Sequence, residues 1–119
     1  MKVLVTGATG YIGSHVCKLL KEHGHYVAGW DINIHGEYND VSQYVNVLEN
    51  IDVTEKHLHG TYDAIVHLAG RSVVPQSLKE PAEYYRVNAM GTSNILDNLS
   101  TPNFIFASTS SAWEMASPY

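Results

Sequence analysis

Apolar residues in this chain gather in short runs bounded by turn-forming residues. Four runs stand out: "KVLV" (2–5), "YVAGW" (26–30), "DAIVHL" (63–68) and "NFIFA" (103–107), with a weaker fifth, "YVNVL" (44–48). Continuous rather than alternating apolar runs fit strands buried on both faces. Between the first two lies "YIGSHVCKLLKEHG" (11–24), where Ile12, Val16, Leu19 and Leu20 recur at helical spacing and Gly24 marks a stop. Before the last run, residues 81–100 place Tyr84, Val87, Gly91, Ile95 and Leu99 on one stripe, with Pro81 suited to a first helical turn. Strand and helix in alternation predict right-handed crossovers and a parallel sheet, an α/β protein. The segment between Asp31 and Tyr44 is short, polar and carries Gly36. A crossover with its own helix needs about a dozen residues or more. The second crossover helix is therefore expected to be reduced or absent, leaving one sheet face thinly covered. "VTEKHLHG" (53–60) has room for about two helical turns.

Composition narrows the picture. With 119 residues, the natural expectation is a single domain over 1–119. Hydrophobic residues make up 45% and charged residues 16%, a globular balance. The formal charge of −5 comes without a basic cluster, which argues against a nucleic-acid surface. It does not argue against a phosphate ligand, because backbone amides at a helix start bind one without lysines. The one cysteine, Cys17, excludes an internal disulfide and fits a reducing compartment. No run approaches the ~20 apolar residues of a membrane span, and the first residues lack a signal-peptide core. The expectation is a soluble cytoplasmic protein that binds neither nucleic acid nor membrane.

The candidate chemistry begins with "VTGATGYIGSH". Gly7, Gly10 and Gly13 lie three apart, directly after a strand and at a helix start. Glycine there allows a tight turn, close approach of backbone to a pyrophosphate, and close packing of helix on sheet. The helix start adds free N–H groups and the positive end of the dipole. A purely structural turn is the plainer alternative. Asp31 closes the second strand, where a nucleotide ribose would lie. Its carboxylate would accept bonds from both ribose hydroxyls and repel a 2′-phosphate, and no arginine follows within ten residues. This favours NAD over NADP; a turn-capping role for Asp31 is the alternative. His67 reads as a hydrogen-bonded core histidine. His57 and His59 lack the companions a metal would need, so no metal site is expected.

Taken in order, "VLVTGATGYIGSH", Asp31, "IDV" (51–53), "IVHLAG" (65–70), "EPAEYYRVNAMGT" (80–92) and "NFIFASTSSAW" (103–113) resemble the extended short-chain dehydrogenase/reductase family, nearest its nucleotide-sugar 4-epimerases. The resemblance implies a Rossmann-like doubly wound sheet of about five parallel strands in the order 3-2-1-4-5. It implies that Tyr11 and Ile12 meet the pyrophosphate by backbone, and that Ile32 and Asn33, after Asp31, bind the cofactor. Asp52 and Val53 would hold the adenine; Asp52 as the cap of a short helix near Thr54 is the alternative. Leu68, Ala69 and Gly70 would line the cofactor, and Asn88 would contact it, with Val87 at a position that is Asn in some epimerases.

The same resemblance implies the chemistry. A tyrosine takes the proton of the sugar 4-hydroxyl while hydride passes to NAD, helped by a Ser or Thr at the end of the fifth strand. Thr109 matches that hydroxyl, and "SPY" (117–119) matches the tyrosine motif, with Tyr119 as catalytic tyrosine. "AWE" (112–114) departs from the family's "VYG". The family's lysine, four residues past the tyrosine, and its C-terminal sugar domain have no counterpart within the 119 residues. A free tyrosine, with a pKa near ~10, is a poor base without that lysine. The expectation is that these residues alone do not epimerise efficiently, and that a UDP-sugar binds only with further sequence or a second chain. Two alternatives stand beside this: a catalytically dead cofactor-binding or interaction module, and part of a nucleotide-sugar 4,6-dehydratase or decarboxylase. A homodimer through the helix bearing Tyr84 and Tyr85 is a further family expectation.

Overall fold

The computed structural model describes residues 1–34, 40–71 and 74–108. Its centre is a five-stranded sheet: β1 (Lys2–Thr6), β2 (Tyr26–Asp31), β3 (Val47–Asn50), β4 (Ala64–His67) and β5 (Phe104–Phe106). All pairings are parallel and the spatial order is β3-β2-β1-β4-β5, the 3-2-1-4-5 arrangement expected. A two-residue parallel pair, Gly60–Thr61 with Leu99–Ser100, stands apart from it.

Register decides which side chains face which layer. Val3 pairs with Val27 and Ala64, and this row faces helix α1 (Tyr11–Glu22) together with Val5, Ala8 and Cys17. Leu4 pairs with Ala28 and Ile65 and faces the opposite way, into a cluster with Trp30, Val53, Leu58, Tyr62, Ile95 and Leu99. Both faces of β1 are therefore core, which is why its run is continuously apolar. Trp30 and Tyr62 meet edge to face, ring centroids 6.3 Å apart and planes at 89°, a favoured aromatic geometry.

The buried face of α1 differs from the expected stripe. Gly13 and Cys17 are buried, with Val16 and Leu20 half-buried beside them, whereas Ile12 and Leu19 are exposed. Smallness sets this face. A Cβ on Gly13 would stand 1.9 Å from the Gly7 carbonyl oxygen, so only glycine lets the helix start this close to the turn. Gly24, at φ +81°, follows the helix as expected.

The stretch after β4 is more divided than its pattern suggests. Helix α2 (Val74–Lys79), which the periodicity does not reveal, precedes α3 (Pro81–Tyr85), a π-helical turn (Arg86–Met90) and α4 (Gly91–Asn98). Pro81 opens α3 as expected. Tyr84, Gly91, Ile95 and Leu99 are buried and Val87 is half-buried, so this stripe does face the core. Tyr85 points outwards, 65% exposed, so the two tyrosines do not form one exposed face.

Between β2 and β3 the described residues contain a turn at 42–44 and no helix. Gly36 falls outside them. Tyr44, Val45 and Leu48 pack against the α1-side core. The third strand lies three residues later than "YVNVL", because Asn46 docks first: its backbone N–H donates to Val27 O and its Oδ1 accepts from Val27 N–H. Residues 53–59 contain turns rather than a short helix, and Gly60 already belongs to the short strand pair.

Candidate functional site

Four strands end together, at Thr6, Asp31, Asn50 and His67. The chain leaves β1 towards β2 and later returns to its other side as β4, so the switch in winding falls between β1 and β4. Open parallel sheets bind ligands at this place. A cleft of about 530 Å³ opens there. Gly7, Thr9 and Gly10 form its floor; Asp31, Ile32 and Asn33 follow β2; Ile51, Asp52 and Val53 follow β3; Leu68, Ala69 and Gly70 follow β4. Residues as far apart in the chain as Gly7 and Val87 thus line one cleft.

Each wall has a local cause. Gly7 sits at φ +70°, and a Cβ there would lie 2.9 Å from Ala69 N and Leu68 C, so glycine answers both the turn and the close approach to the post-β4 loop. Gly7 N–H and Ala8 N–H donate to Trp30 O, tying the turn to β2. Gly10 caps α1 with extended backbone and no side-chain bond, and the first helical turn carries no acidic residue. Its first-turn N–H groups and dipole are left for an anion. Tyr11 and Ile12 begin that turn with exposed side chains, and Gly13 lies buried behind them.

Asp31 uses one oxygen on each neighbour. Oδ2 accepts from Thr9 N–H at 3.0 Å and Oδ1 from Asn33 N–H at 3.0 Å. An ionised carboxylate offers about four acceptor positions, so the turn-capping role and ribose recognition are compatible. Asp52 behaves similarly: its Oδ1 accepts from Thr54 N–H at 2.9 Å and Thr54 Oγ1 at 2.7 Å, capping a turn rather than a helix.

Asn88 stands behind the wall rather than on it. Its Oδ1 accepts from Arg71 N–H at 2.7 Å and its Nδ2 donates to Arg71 O at 2.8 Å, a two-point clamp on the loop. Gly70 is part of the same contact, since a Cβ there would lie 2.9 Å from Asn88 Oδ1. The neighbouring Val87 lines the cleft itself. Arg71 and Arg86, which sequence reasoning passed over, stand at one end of the cleft. Both reach Glu83, Arg86 at 2.6 Å and Arg71 at 3.4 Å. The Arg86 hydrogen bond holds the Glu83 carboxyl below its usual range. Thr6, Thr9 and Trp30 also escaped notice, because a single hydroxyl or ring in a strand gives no periodic signal.

Thr109 and Tyr119 lie outside the described residues. Among those described, no group of histidine, cysteine or carboxylate side chains could hold a metal, and no helix is long and apolar enough to cross a membrane.

Comparison with known proteins bears on the family and the fold. The model of the NAD-dependent epimerase/dehydratase family matches residues 3–118. The UDP-glucose 4-epimerase of Corynebacterium glutamicum is 35% identical over 119 residues, covering 95% of this chain and 36% of that protein. A UDP-glucose 4-epimerase of Klebsiella pneumoniae is 33% identical over 133 residues, covering 95% of this chain and 92% of that protein. Among solved structures, the UDP-glucose 4-epimerase of Stenotrophomonas maltophila, with bound NAD and formylated UDP-arabinopyranose, superposes with a TM-score of 0.76 at 26% identity. That match covers 95% of this chain and 38% of the other. The chain thus spans little more than a third of the length of most of these relatives. The family match across nearly every residue, the strand order and the glycine turn at the switch point agree: the chain belongs to the NAD-dependent epimerase/dehydratase family.

Proposed function

We propose that residues 1–119 form the cofactor-holding domain of a UDP-sugar 4-epimerase and bind NAD in preference to NADP. The observation that carries this is the single cleft at the switch point, where the glycine turn, Asp31, Asp52 and the Leu68–Gly70 loop converge. The fit is physical. Gly7 and Gly10 leave backbone bare at an uncapped helix start, where a pyrophosphate would receive N–H bonds. Asp31 keeps acceptor capacity for the ribose hydroxyls and would repel a 2′-phosphate. Asp52 and Val53, with Ile51, form the wall for the adenine, and Leu68, Ala69 and Gly70 the wall towards the nicotinamide.

When bound, NAD would supply reversible hydride transfer at the sugar C4. This chain's own contribution is to bind and orient it, with Asn88 fixing the loop through Arg71. Thr109 and Tyr119 complete the proposal as the hydroxyl and the proton-accepting phenol. The UDP-sugar would be held together with further sequence or a second chain. Titration calorimetry with NAD and NADP tests the reading. NAD is expected to bind at least about tenfold tighter, the scale of one charged hydrogen bond; equal or reversed affinities would reject it.

A further inference from the structure

His67 is buried to 2% exposure and stands at the end of β4, one residue before the cleft. Its Nδ1 lies 2.6 Å from Thr6 Oγ1, and its Nε2 lies 2.9 Å from Thr92 Oγ1. The rings of Phe104 and Phe106 flank it, with centroids 5.9 and 6.2 Å away. No charged or titratable group is among these neighbours from β1, α4 and β5.

The proton positions follow from donor arithmetic. Thr6 Oγ1 already accepts from Leu68 N–H and Ala69 N–H, both at 3.1 Å. A hydroxyl has two acceptor positions and one proton. The Thr6 proton is therefore donated to Nδ1, which leaves the imidazole proton on Nε2. That proton goes to Thr92 Oγ1, and the Thr92 hydroxyl donates in turn to Asn88 O at 2.7 Å. The relay runs one way, from Thr6 through His67 and Thr92 to Asn88. Its first member holds the amides of Leu68 and Ala69, and its last member carries the side chain that clamps Arg71. Both ends of the post-β4 loop thus hang on one imidazole. The Thr92 back-bond falls within the helix just where the π turn ends, at Met90.

We infer that His67 is a positioning residue for the cofactor, a neutral Nε2–H imidazole whose bonds to Thr6 and Thr92 set the Leu68–Arg71 loop against the cleft. Burial keeps the ring neutral by pushing its pKa down to about 4. The inference rests on the reading of the cleft as an NAD site.

The test uses the 119-residue chain with ¹⁵N-labelled histidine, together with the variants Thr92→Val and Thr92→Ser. At neutral pH, His67 is expected to show a bare Nδ1 and a protonated Nε2; an Nδ1–H tautomer or a charged ring overturns the inference. Thr92→Val keeps the side-chain shape and removes the acceptor. It is expected to retain cooperative melting, shift the Leu68 and Ala69 amide resonances, and weaken NAD about threefold to tenfold, the scale of one hydrogen bond. Thr92→Ser restores the hydroxyl and is expected to recover tight binding. NAD affinity unchanged in Thr92→Val overturns the positioning role alone. An unsubstituted chain that binds no NAD overturns the cofactor reading, and the inference with it.

Discussion

Asp31 and Thr9 are joined across the mouth of the cleft: the carboxylate that closes β2 accepts the Thr9 backbone N–H at 3.0 Å. The residue proposed to recognise a ribose therefore also holds the turn proposed to receive the phosphates. Asp31→Ala is expected to weaken NAD by about tenfold to a hundredfold, as for a lost charged hydrogen bond. Asp31→Asn keeps one acceptor and is expected to lose less, while narrowing the preference over NADP. Calorimetry on both variants with both nucleotides checks this.

Two glycines of one turn are expected to fail differently. A Cβ on Gly13 would meet the Gly7 carbonyl oxygen at 1.9 Å, an overlap that side-chain motion cannot relieve. Gly13→Ala is expected to destabilise the fold by about 3 kcal/mol, the upper end for an overpacked site. Among the described residues, a Cβ on Gly10 has only that same oxygen nearby, at 3.3 Å, and Gly10 has ordinary extended backbone. Gly10→Val is expected to fold and to lose nucleotide binding. Thermal melting and calorimetry on the pair separate the structural glycine from the binding one.

The Asn88 clamp can be tested both without a ligand and with one. Asn88→Ala removes the acceptor of Arg71 N–H and the donor to Arg71 O. Hydrogen exchange at the Arg71 amide is expected to quicken, and NAD affinity to fall several-fold. Asn88→Asp retains the acceptor and is expected to protect the amide while losing the bond to Arg71 O.

Acid stability should carry the signature of His67. An unfolded histidine titrates near 6.5 and this one near 4, because burial disfavours the charged ring. As pH falls, the unfolded chain takes up the proton first. Stability is therefore intact above about pH 6.5 and lost progressively down to about pH 4, by roughly 3 kcal/mol in all. Urea titrations from pH 7 to pH 4 are expected to show this slope, and a His67→Asn chain, though less stable throughout, is expected to show a shallower one.

Where the sequence was legible, the signal was repetition. The continuous apolar runs named all five strands of the sheet, and the glycine turn with Asp31 located the cleft. What stayed hidden was governed by single contacts. The buried face of α1 follows from Gly13 and Cys17 rather than from the larger Ile12 and Leu19, because closeness to Gly7 selects small residues. The third strand begins where Asn46 meets Val27, not where its apolar letters begin. Thr6, Thr92 and Arg71 hold their places through partners 61, 25 and 17 residues away, which no local pattern records.

Cys17 is sealed between α1 and the sheet at 0% exposure, and burial pushes its thiol up to about 11. A thiol in that state is inert to alkylating reagents until the helix lifts away. The single cysteine is thus a built-in clock for the opening of the element that begins at the glycine turn. A nucleotide that bridges this turn and the ends of the neighbouring strands would slow the clock. Alkylation rate, followed by mass, would then read occupancy of the cleft from the far end of the helix's buried face.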